Sequence, residues 1–427
     1  MNEHIAAVVM AAGLGTRMRS ATPKHLHPLL GQRVVDWVIA AARGAGAEPV
    51  VVVASPQTVD GFAGVEVAVQ AEPLGTGDAV RAARDQLAST TGDVLVLSGD
   101  TPLLTPELLR GLVETHRREG AAATVLSFEP ADPRAYGRLV RDGSSRLARI
   151  VEAADATPDE LELQEVNSSI YVFAAEKLWP AVERLDPHNA QGELYLTDAI
   201  ASLVGEGVPV AIHVAPDPTA AEGVNTRVEL AAAAAALRDR INEAHMLAGV
   251  TIVDPQSTWI DAGVEIEPDV TIHPFTVIRG DVRIASGVEV GPFAFVRPGT
   301  SVGESAKIGA FVEVKKSTVG AHTKIPHLSY IGDAEIGENT NIAAGNITAN
   351  FKHEAGQPKA TTRIGSNVRT GVDNTFDAPV EVGDDAWLAP GAVITEDVPP
   401  GSLAGFAPRQ VTKKGWVYEK HGNRDDE

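Results

Sequence analysis

Residues 260–314 read IDAGVEIEPDVTIHPFTVIRGDVRIASGVEVGPFAFVRPGTSVGESAKIGAFVEV. An aliphatic side chain returns every six positions: Ile260, Ile266, Ile272, Ile278, Ile284, Val290, Val296, Val302, Ile308 and Val314. From Ile266 on, a small or β-branched residue stands two places before each: Val264, Val270, Thr276, Val282, Val288, Ala294, Thr300, Ala306 and Val312. A six-residue repeat predicts a parallel β-helix. Each hexapeptide forms one side of a triangular coil, and the aliphatic residue stacks inward on its counterparts in adjacent coils. The phase slips but continues at Val319, Ile325, Ile331, Ile336 and Ile342, and returns at Phe376, Val382, Leu388 and Ile394. The hexapeptide form is the left-handed one. Its flat outer faces predict association into a homotrimer.

Upstream of the repeats, residues 227 to about 247 are rich in Ala and Leu with Glu and Arg interspersed. This predicts a connecting helix, which Gly249 closes. The first half has a different rhythm. Ala6–Met10, Val50–Ala54, Val94–Ser98 and Ala123–Phe128 read as buried strands, with helices predicted over 32–43, 77–88 and 106–118. Thr105 suits an N-cap and Pro106 a first helical turn. Strand–helix alternation predicts an α/β layer with a mostly parallel, Rossmann-like sheet, whose ligands bind at the carboxyl ends of the strands. The predicted organisation is an α/β domain over 1–226, a linker helix over 227–248, the β-helix over 249–407 and a polar tail over 408–427.

The 427 residues carry 36 Lys and Arg against 57 Asp and Glu, a net charge of −21. Such an acidic chain is repelled by nucleic acid and by anionic membranes, so neither is an expected partner. No cysteine is present, which excludes disulfides, thiolate metal sites and cysteine nucleophiles and fits a reducing compartment. The N-terminus lacks a basic targeting region, and no apolar run approaches the ~18 residues of a membrane span. A cytoplasmic protein with no membrane insertion is expected.

The strand Ala6–Met10 leads into Ala11-Ala12-Gly13-Leu14-Gly15-Thr16-Arg17-Met18, with Pro23-Lys24 following. Glycines let backbone amides approach a phosphate closely, and Arg17 and Lys24 add positive charge where a triphosphate would lie. The GK[ST] ending of a Walker A loop is absent. Asp100, just past a strand end, is placed to hold Mg²⁺, and the amide oxygen of Asn225 is a candidate second ligand.

Taken together, these motifs resemble the sugar-nucleotide pyrophosphorylases. The likeness runs along nearly the whole chain to the bifunctional N-acetylglucosamine-1-phosphate uridylyltransferase / glucosamine-1-phosphate N-acetyltransferase family. The resemblance implies that Ala11, Gly13 and Lys24 contact the nucleotide. In Gln70-Ala71-Glu72-Pro73-Leu74-Gly75-Thr76-Gly77, it implies that Gln70 reads the uracil edge while Gly75 and Thr76 line the base pocket. Tyr136-Gly137-Arg138, Ile150-Val151-Glu152 and Glu165-Val166-Asn167 resemble the sugar-binding segments, so Gly137, Glu152 and Asn167 would hold the acetamido sugar. The stretch 189–198, NAQGELYLTD, is also family-like. Arg17 and Lys24 would be catalytic, with Mg²⁺ on Asp100 and Asn225.

In the β-helix, Pro326-His327-Leu328-Ser329-Tyr330 resembles the segment carrying the general base, which makes His327 the candidate. Arg297 and Lys315 match residues that bind the sugar phosphate. Tyr330, Asn341 and Lys359 match further acceptor positions, and Ala344, Asn350 and Phe351 lie among those implied for acetyl-CoA. The implied activity is acetyl transfer from acetyl-CoA to glucosamine-1-phosphate. Uridylyl transfer from UTP to N-acetylglucosamine-1-phosphate follows, giving a cell-envelope precursor. The sequence departs from the family at Pro73, where Gln is usual, and at Phe351-Lys352-His353, where Tyr-Asp-Gly is usual, with three extra residues before Lys359. Val372 replaces a common Ser and Pro390 a common Ala, and roughly two coils are missing between Gly249 and Arg297. An alternative reading keeps only the uridylyltransferase, with the β-helix as a trimerisation scaffold.

Overall fold

A computed structural model describes residues 4–419 apart from 63, 134–135, 190, 352–357, 406–411 and 417–418. Lys352, His353, Ala190 and most of the predicted tail therefore lie outside the described residues. The chain divides into two compact units, Met1–Leu237 and Arg238–Glu427. The boundary falls inside the helix Arg227–Leu247, which has the extent its composition predicts.

The first unit is built on one sheet. Across it run Val210–Val214, Ala123–Phe128, Val166–Ala174, Asp93–Ser98, Ile5–Met10, Val50–Ala54 and Glu66–Val69. Only Val166–Ala174 of these is antiparallel to its neighbours; the other pairings are parallel. A hairpin, Arg138–Arg141 with Leu147–Val151, hangs from Val166. Successive strand residues point to opposite faces, and both faces are covered. Ala7 and Val9 pack under the helices Val34–Gly44 and Pro106–Arg118. Ala6 and Val8 pack under Thr76–Ala82, Ala175–Glu183 and Leu196–Gly205. This two-sided burial explains why the strands read as unbroken apolar runs.

Thr105 caps its helix, its hydroxyl accepting from Leu108 N at 3.2 Å. Two helices are shorter than the sequence predicts. Gln32 and Arg33 pair with Leu29 and Pro28 in a small hairpin, and the helix begins at Val34, where Asp36 takes the Arg33 N–H. After Ala82 the chain continues in tight i→i+3 turns, such as Arg84 N to Arg81 O and Leu87 N to Arg84 O, instead of α-helix. Met10 and Ser98 are register partners, so the loops that follow them emerge side by side. Gly99 makes this approach possible: a methyl group there would stand 2.7 Å from Met10 O.

The second unit is a parallel β-helix. Ile260 pairs with Ile278, Ile266 with Ile284 and Ile272 with Val290, so one coil takes three hexapeptides. The phase slip has a simple cause. Val302 pairs with Val319, Ile308 with Ile325 and Val314 with Ile331, coils one residue shorter than those before them. Small hydroxyls serve these shortened coils. Ser317 Oγ accepts from Ala334 N at 3.0 Å and Thr348 Oγ1 from Gly332 N at 2.7 Å, satisfying amides that would otherwise be buried without partners. The longer gap from Ile336 to its partner Ile364 holds the segment with the extra residues. The stacked aliphatic residues form one continuous core.

Candidate active sites

In the first unit, three segments far apart in sequence meet at the carboxyl end of the sheet. Asp100 is buried and its carboxylate pairs with the Lys24 ammonium. Lys24 Nζ also donates to Asn225 Oδ1 at 3.1 Å, and Arg17 donates to the same oxygen at 2.9 Å. Ser98 Oγ donates to Asp100 Oδ1 at 2.6 Å. Burial pushes the Asp100 carboxyl up. The Lys24 charge and the hydrogen bonds from Lys24 and Ser98 outweigh it and hold the group below the usual carboxylate range. The candidates Arg17, Lys24, Asp100 and Asn225 thus form one cluster. The loop from Ala11 stays attached to the sheet through Ala11 N to Val53 O, 2.8 Å, while Gly13 has open space beside it. Gly15 turns left-handed at φ +64°, and a methyl group there would lie 2.7 Å from Lys24 Cβ. Lys24 can fold over the loop only because Gly15 has no side chain.

Gln70 is buried, and its Nε2 donates to Gly75 O and to Asp78 Oδ2, both at 3.0 Å. Two acceptors fix the orientation of the amide and leave Oε1 as its accepting face. Thr76 Oγ1 accepts from Leu196 N at 3.0 Å, tying this segment to the 189–198 stretch. Gly137, Glu152 and Asn167 also come together. Asn167 N donates to Gly137 O at 2.8 Å, and a methyl group at Gly137 would stand 3.3 Å from Glu152 Oε2. Burial pushes the Glu152 carboxyl up, against a 3.0 Å hydrogen bond from Thr197. Glu152, Thr76, Tyr195 and Thr197 line a cavity of about 150 Å³. Sequence reasoning missed Ser98, Asp78, Tyr195 and Thr197 as individual site groups. The only signal was that Tyr195 and Thr197 lie in the family-like 189–198 stretch.

His25, next to Lys24, is buried and stacks on Phe62 with ring centroids 6.2 Å apart. Burial, with Lys24 and Arg33 adding repulsion, lowers its pKa to about 4. The folded state therefore holds it neutral, whereas the unfolded chain protonates it near the ordinary value. Its stabilising effect is complete above about pH 6.5 and is lost as pH falls toward 4. The difference approaches ~3 kcal/mol, on the order of 1.4 kcal/mol per pH unit. The expected result is that His25→Gln flattens the acid side of the stability–pH curve measured by urea unfolding. An unchanged curve would rule out His25 as the source.

The second unit gathers another cluster. Lys315 Nζ lies 3.7 Å from Asp333 Oδ2, and Asn350 Nδ2 donates to the same carboxylate and to Tyr330 OH at 3.4 Å. Arg297 donates to Glu313 at 2.6 Å. The Lys315 ammonium is pushed down by its contact with Lys359 and by burial, with Lys359 and Arg297 adding repulsion against the attraction of Asp333. Arg297, Lys315, Tyr330, Asn350 and Lys359 are therefore linked, and Asp333, which the sequence reading missed, sits among them. Among the described residues, His327, Asn341 and Ala344 are not part of these contacts. His327 is exposed and, among the described residues, makes no hydrogen bond or ion pair with the cluster. Asn341 bridges to Lys324 and Arg369 along a neighbouring face. Ala344 O accepts from Asp373 N at 2.8 Å, and the Phe351 ring is 68% exposed.

Comparison with known proteins bears on both units. Residues 7–199 match the MobA-like NTP transferase domain, and residues 263–298 match the bacterial transferase hexapeptide (six repeats). The bifunctional protein GlmU of Trichlorobacter lovleyi is 44% identical over 458 residues, covering 98% of this chain and 99% of that protein. That of Streptomyces avermitilis is 44% identical, covering 97% and 94%. That of Caldanaerobacter subterraneus subsp. tengcongensis is 42% identical, covering 98% of each. Matches of this extent take in both units, and on that ground the chain belongs to the family of bifunctional GlmU proteins.

Proposed function

We propose that this chain makes UDP-N-acetylglucosamine in two steps. The β-helix transfers the acetyl group of acetyl-CoA to glucosamine-1-phosphate. The α/β unit then transfers uridylyl from UTP to N-acetylglucosamine-1-phosphate and releases pyrophosphate. The observation that carries this reading is the meeting of Arg17, Lys24, Asp100 and Asn225 where the first strand ends. The site holds two cations and two hard oxygen donors, which suits phosphoryl-type transfer, where positioning and charge neutralisation do the work.

In the uridylyl step, an oxygen of the sugar 1-phosphate attacks the α-phosphorus of UTP in line. The new O–P bond forms as the bond from that phosphorus to the pyrophosphate oxygen breaks. Amides of the loop after Ala11 face the phosphates. Arg17 and Lys24 neutralise charge on the departing pyrophosphate. The Gln70 carbonyl accepts from the uracil N3–H, its Nε2 protons being committed to Gly75 and Asp78. Glu152 and Asn167 hold the acetamido sugar. The donor set of one carboxylate and one amide oxygen suits Mg²⁺, which takes one or two protein oxygens together with phosphate oxygens. Asp100 and Asn225 would hold the ion, whose chemistry would be to neutralise and align the triphosphate. In the acetyl step, Arg297, Lys315 and Lys359 anchor the sugar phosphate, and His327 removes the ammonium proton. Asn350 Nδ2 donates to Asp333 and Tyr330, so it can serve the oxyanion only by releasing one of them.

The test is to assay the half-reactions separately on purified full-length protein. Acetyl transfer without UTP, and uridylyl transfer from pre-acetylated sugar phosphate, should both proceed. Loss of the first alone would favour the scaffold reading. The same reading includes a cytoplasmic homotrimer joined through the β-helix. Phe275, Phe293 and Phe311 support it: they stack outward at one corner, centroids 4.8 and 4.9 Å apart, with about half of each ring exposed. Sedimentation should give a particle of three chains, and a monomer at micromolar concentration would overturn the trimer.

A further inference from the structure

The segment 223–226 carries Asn225, and its backbone is held from both sides. Upstream, Val224 N donates to Asp100 O at 2.7 Å and Gly223 N donates to Tyr136 OH at 3.3 Å. Downstream, the carboxylate of Glu229, in the first turn of the helix Arg227–Leu247, takes two amides. Glu229 Oε2 accepts from Thr226 N at 2.8 Å and from Asn225 N at 2.6 Å. Thr226 Oγ1 accepts from Glu229 N at 3.2 Å.

The Thr226–Glu229 pair alone is a capping box: the cap hydroxyl takes the amide three residues on, and the acid reaches back to the cap amide. That device needs only the bond to Thr226 N. The shorter bond goes one residue further, to the amide of Asn225 itself. Helix capping does not call for it, and it acts on the one residue of the segment whose side chain faces Arg17 and Lys24. Asn225 Oδ1 accepts from both at 2.9 and 3.1 Å. A peptide rotation at 225 would swing that oxygen away from both cations.

We infer that Glu229 is a positioning residue for uridylyl transfer: through its bond to the Asn225 amide it holds Asn225 Oδ1 against Arg17 and Lys24. The inference rests on the reading of Asn225 as a group of the UTP and metal site. Glu229 touches no reacting atom. It acts as outer partners of metal-ligating groups do, where loss typically costs about 10- to 100-fold in affinity or activity. Asp100 is tied to the same segment through intermediaries, presenting its carboxylate to Lys24 and its carbonyl to Val224.

The experiment compares Glu229→Ala, Glu229→Gln and Asn225→Ala in the full-length protein. It measures UTP affinity by calorimetry with Mg²⁺ present, kcat and KM for uridylyl transfer, hydrogen exchange at the amides of 225 and 226, and thermal unfolding. Glu229→Ala should speed exchange at both amides and weaken UTP binding about tenfold, raising KM more than it lowers kcat. Glu229→Gln keeps one acceptor oxygen at the same reach and should restore most of the affinity. Acetyl transfer should be unchanged in all three. Faster exchange and a lower unfolding temperature in Glu229→Ala, with UTP affinity and KM unaltered, would make Glu229 a helix cap only and overturn the inference. Normal UTP binding and turnover in Asn225→Ala would instead overturn the role of Asn225, and the inference with it.

Discussion

Asp100→Ala is expected to lower UDP-N-acetylglucosamine formation by at least about a hundredfold, equivalent to several kcal/mol of transition-state stabilisation, while acetyl transfer continues at the wild-type rate. Asp100 is the carboxylate that pairs with Lys24, and Arg17 adds a second cation through Asn225. Without it, Lys24 and Arg17 would crowd the amide oxygen of Asn225, and a divalent ion would have a single neutral protein donor. Lys24 would also lose its partner in a half-buried position, so some loss of thermal stability should accompany the kinetic defect. Asp100→Asn separates the two effects, because it keeps the shape and one acceptor but removes the charge. It should fold with a smaller stability loss and still fail in uridylyl transfer. The pH dependence follows from the depressed carboxyl pKa. The stability supplied by the Lys24–Asp100 pair is fully present above the ordinary carboxylate value and is lost only as pH falls through the lowered one. Uridylyl transfer at the normal rate in either variant would show that this strand end does not hold the metal.

How far the sequence could be read depended on whether the information was local. The six-residue period fixed the inward residues because each hexapeptide repeats the same environment. The phase slip at Val319 was visible too, but its cause needed the register that pairs Val319 with Val302. In the first unit the buried strands were legible since both sheet faces are covered. The helix after Gly77 was over-extended because residues 83–88 have good helical propensity yet close into i→i+3 turns. Lys24 and Asp100 were identifiable singly from glycine spacing and a strand end. Their convergence on Asn225 depends on the packing of segments roughly 75 and 200 residues apart. Asp78 and Asp333 were not legible because nothing in their neighbourhood marks them: each acquires meaning only from the amide or ammonium that folding brings to it. Glu229 was not legible either: its bond to the Asn225 amide lies one residue beyond the capping box it completes with Thr226.

His327→Ala is expected to slow acetyl transfer by about 10²–10⁴, the usual range for loss of a positioned general base, with uridylyl transfer from pre-acetylated substrate intact. The amine of glucosamine-1-phosphate is largely protonated near neutral pH and cannot attack a thioester until it sheds that proton. Imidazole titrates in the range that lets it accept one. His327 is exposed at the end of the strand Lys324–His327, and register pairs it with Ala310 of the preceding coil. The linked cations Lys315, Lys359 and Arg297 occur around Asp333 and Asn350 instead. Anchoring and proton removal are therefore assigned to different groups, and they should separate kinetically. Substitutions of Arg297, Lys315 or Lys359 should chiefly raise KM for the sugar phosphate. His327→Ala should chiefly lower kcat and remove the limb of the pH profile that reports deprotonation of the base. Exposure of His327 makes the variant a fair test, because no buried packing is lost with the ring. Equal rates for wild type and His327→Ala across the pH range would assign the base to another group. Acetyl transfer absent from the wild type would turn attention to Phe351, whose exposed ring lacks the hydroxyl usual in the family, and to the segment that follows it.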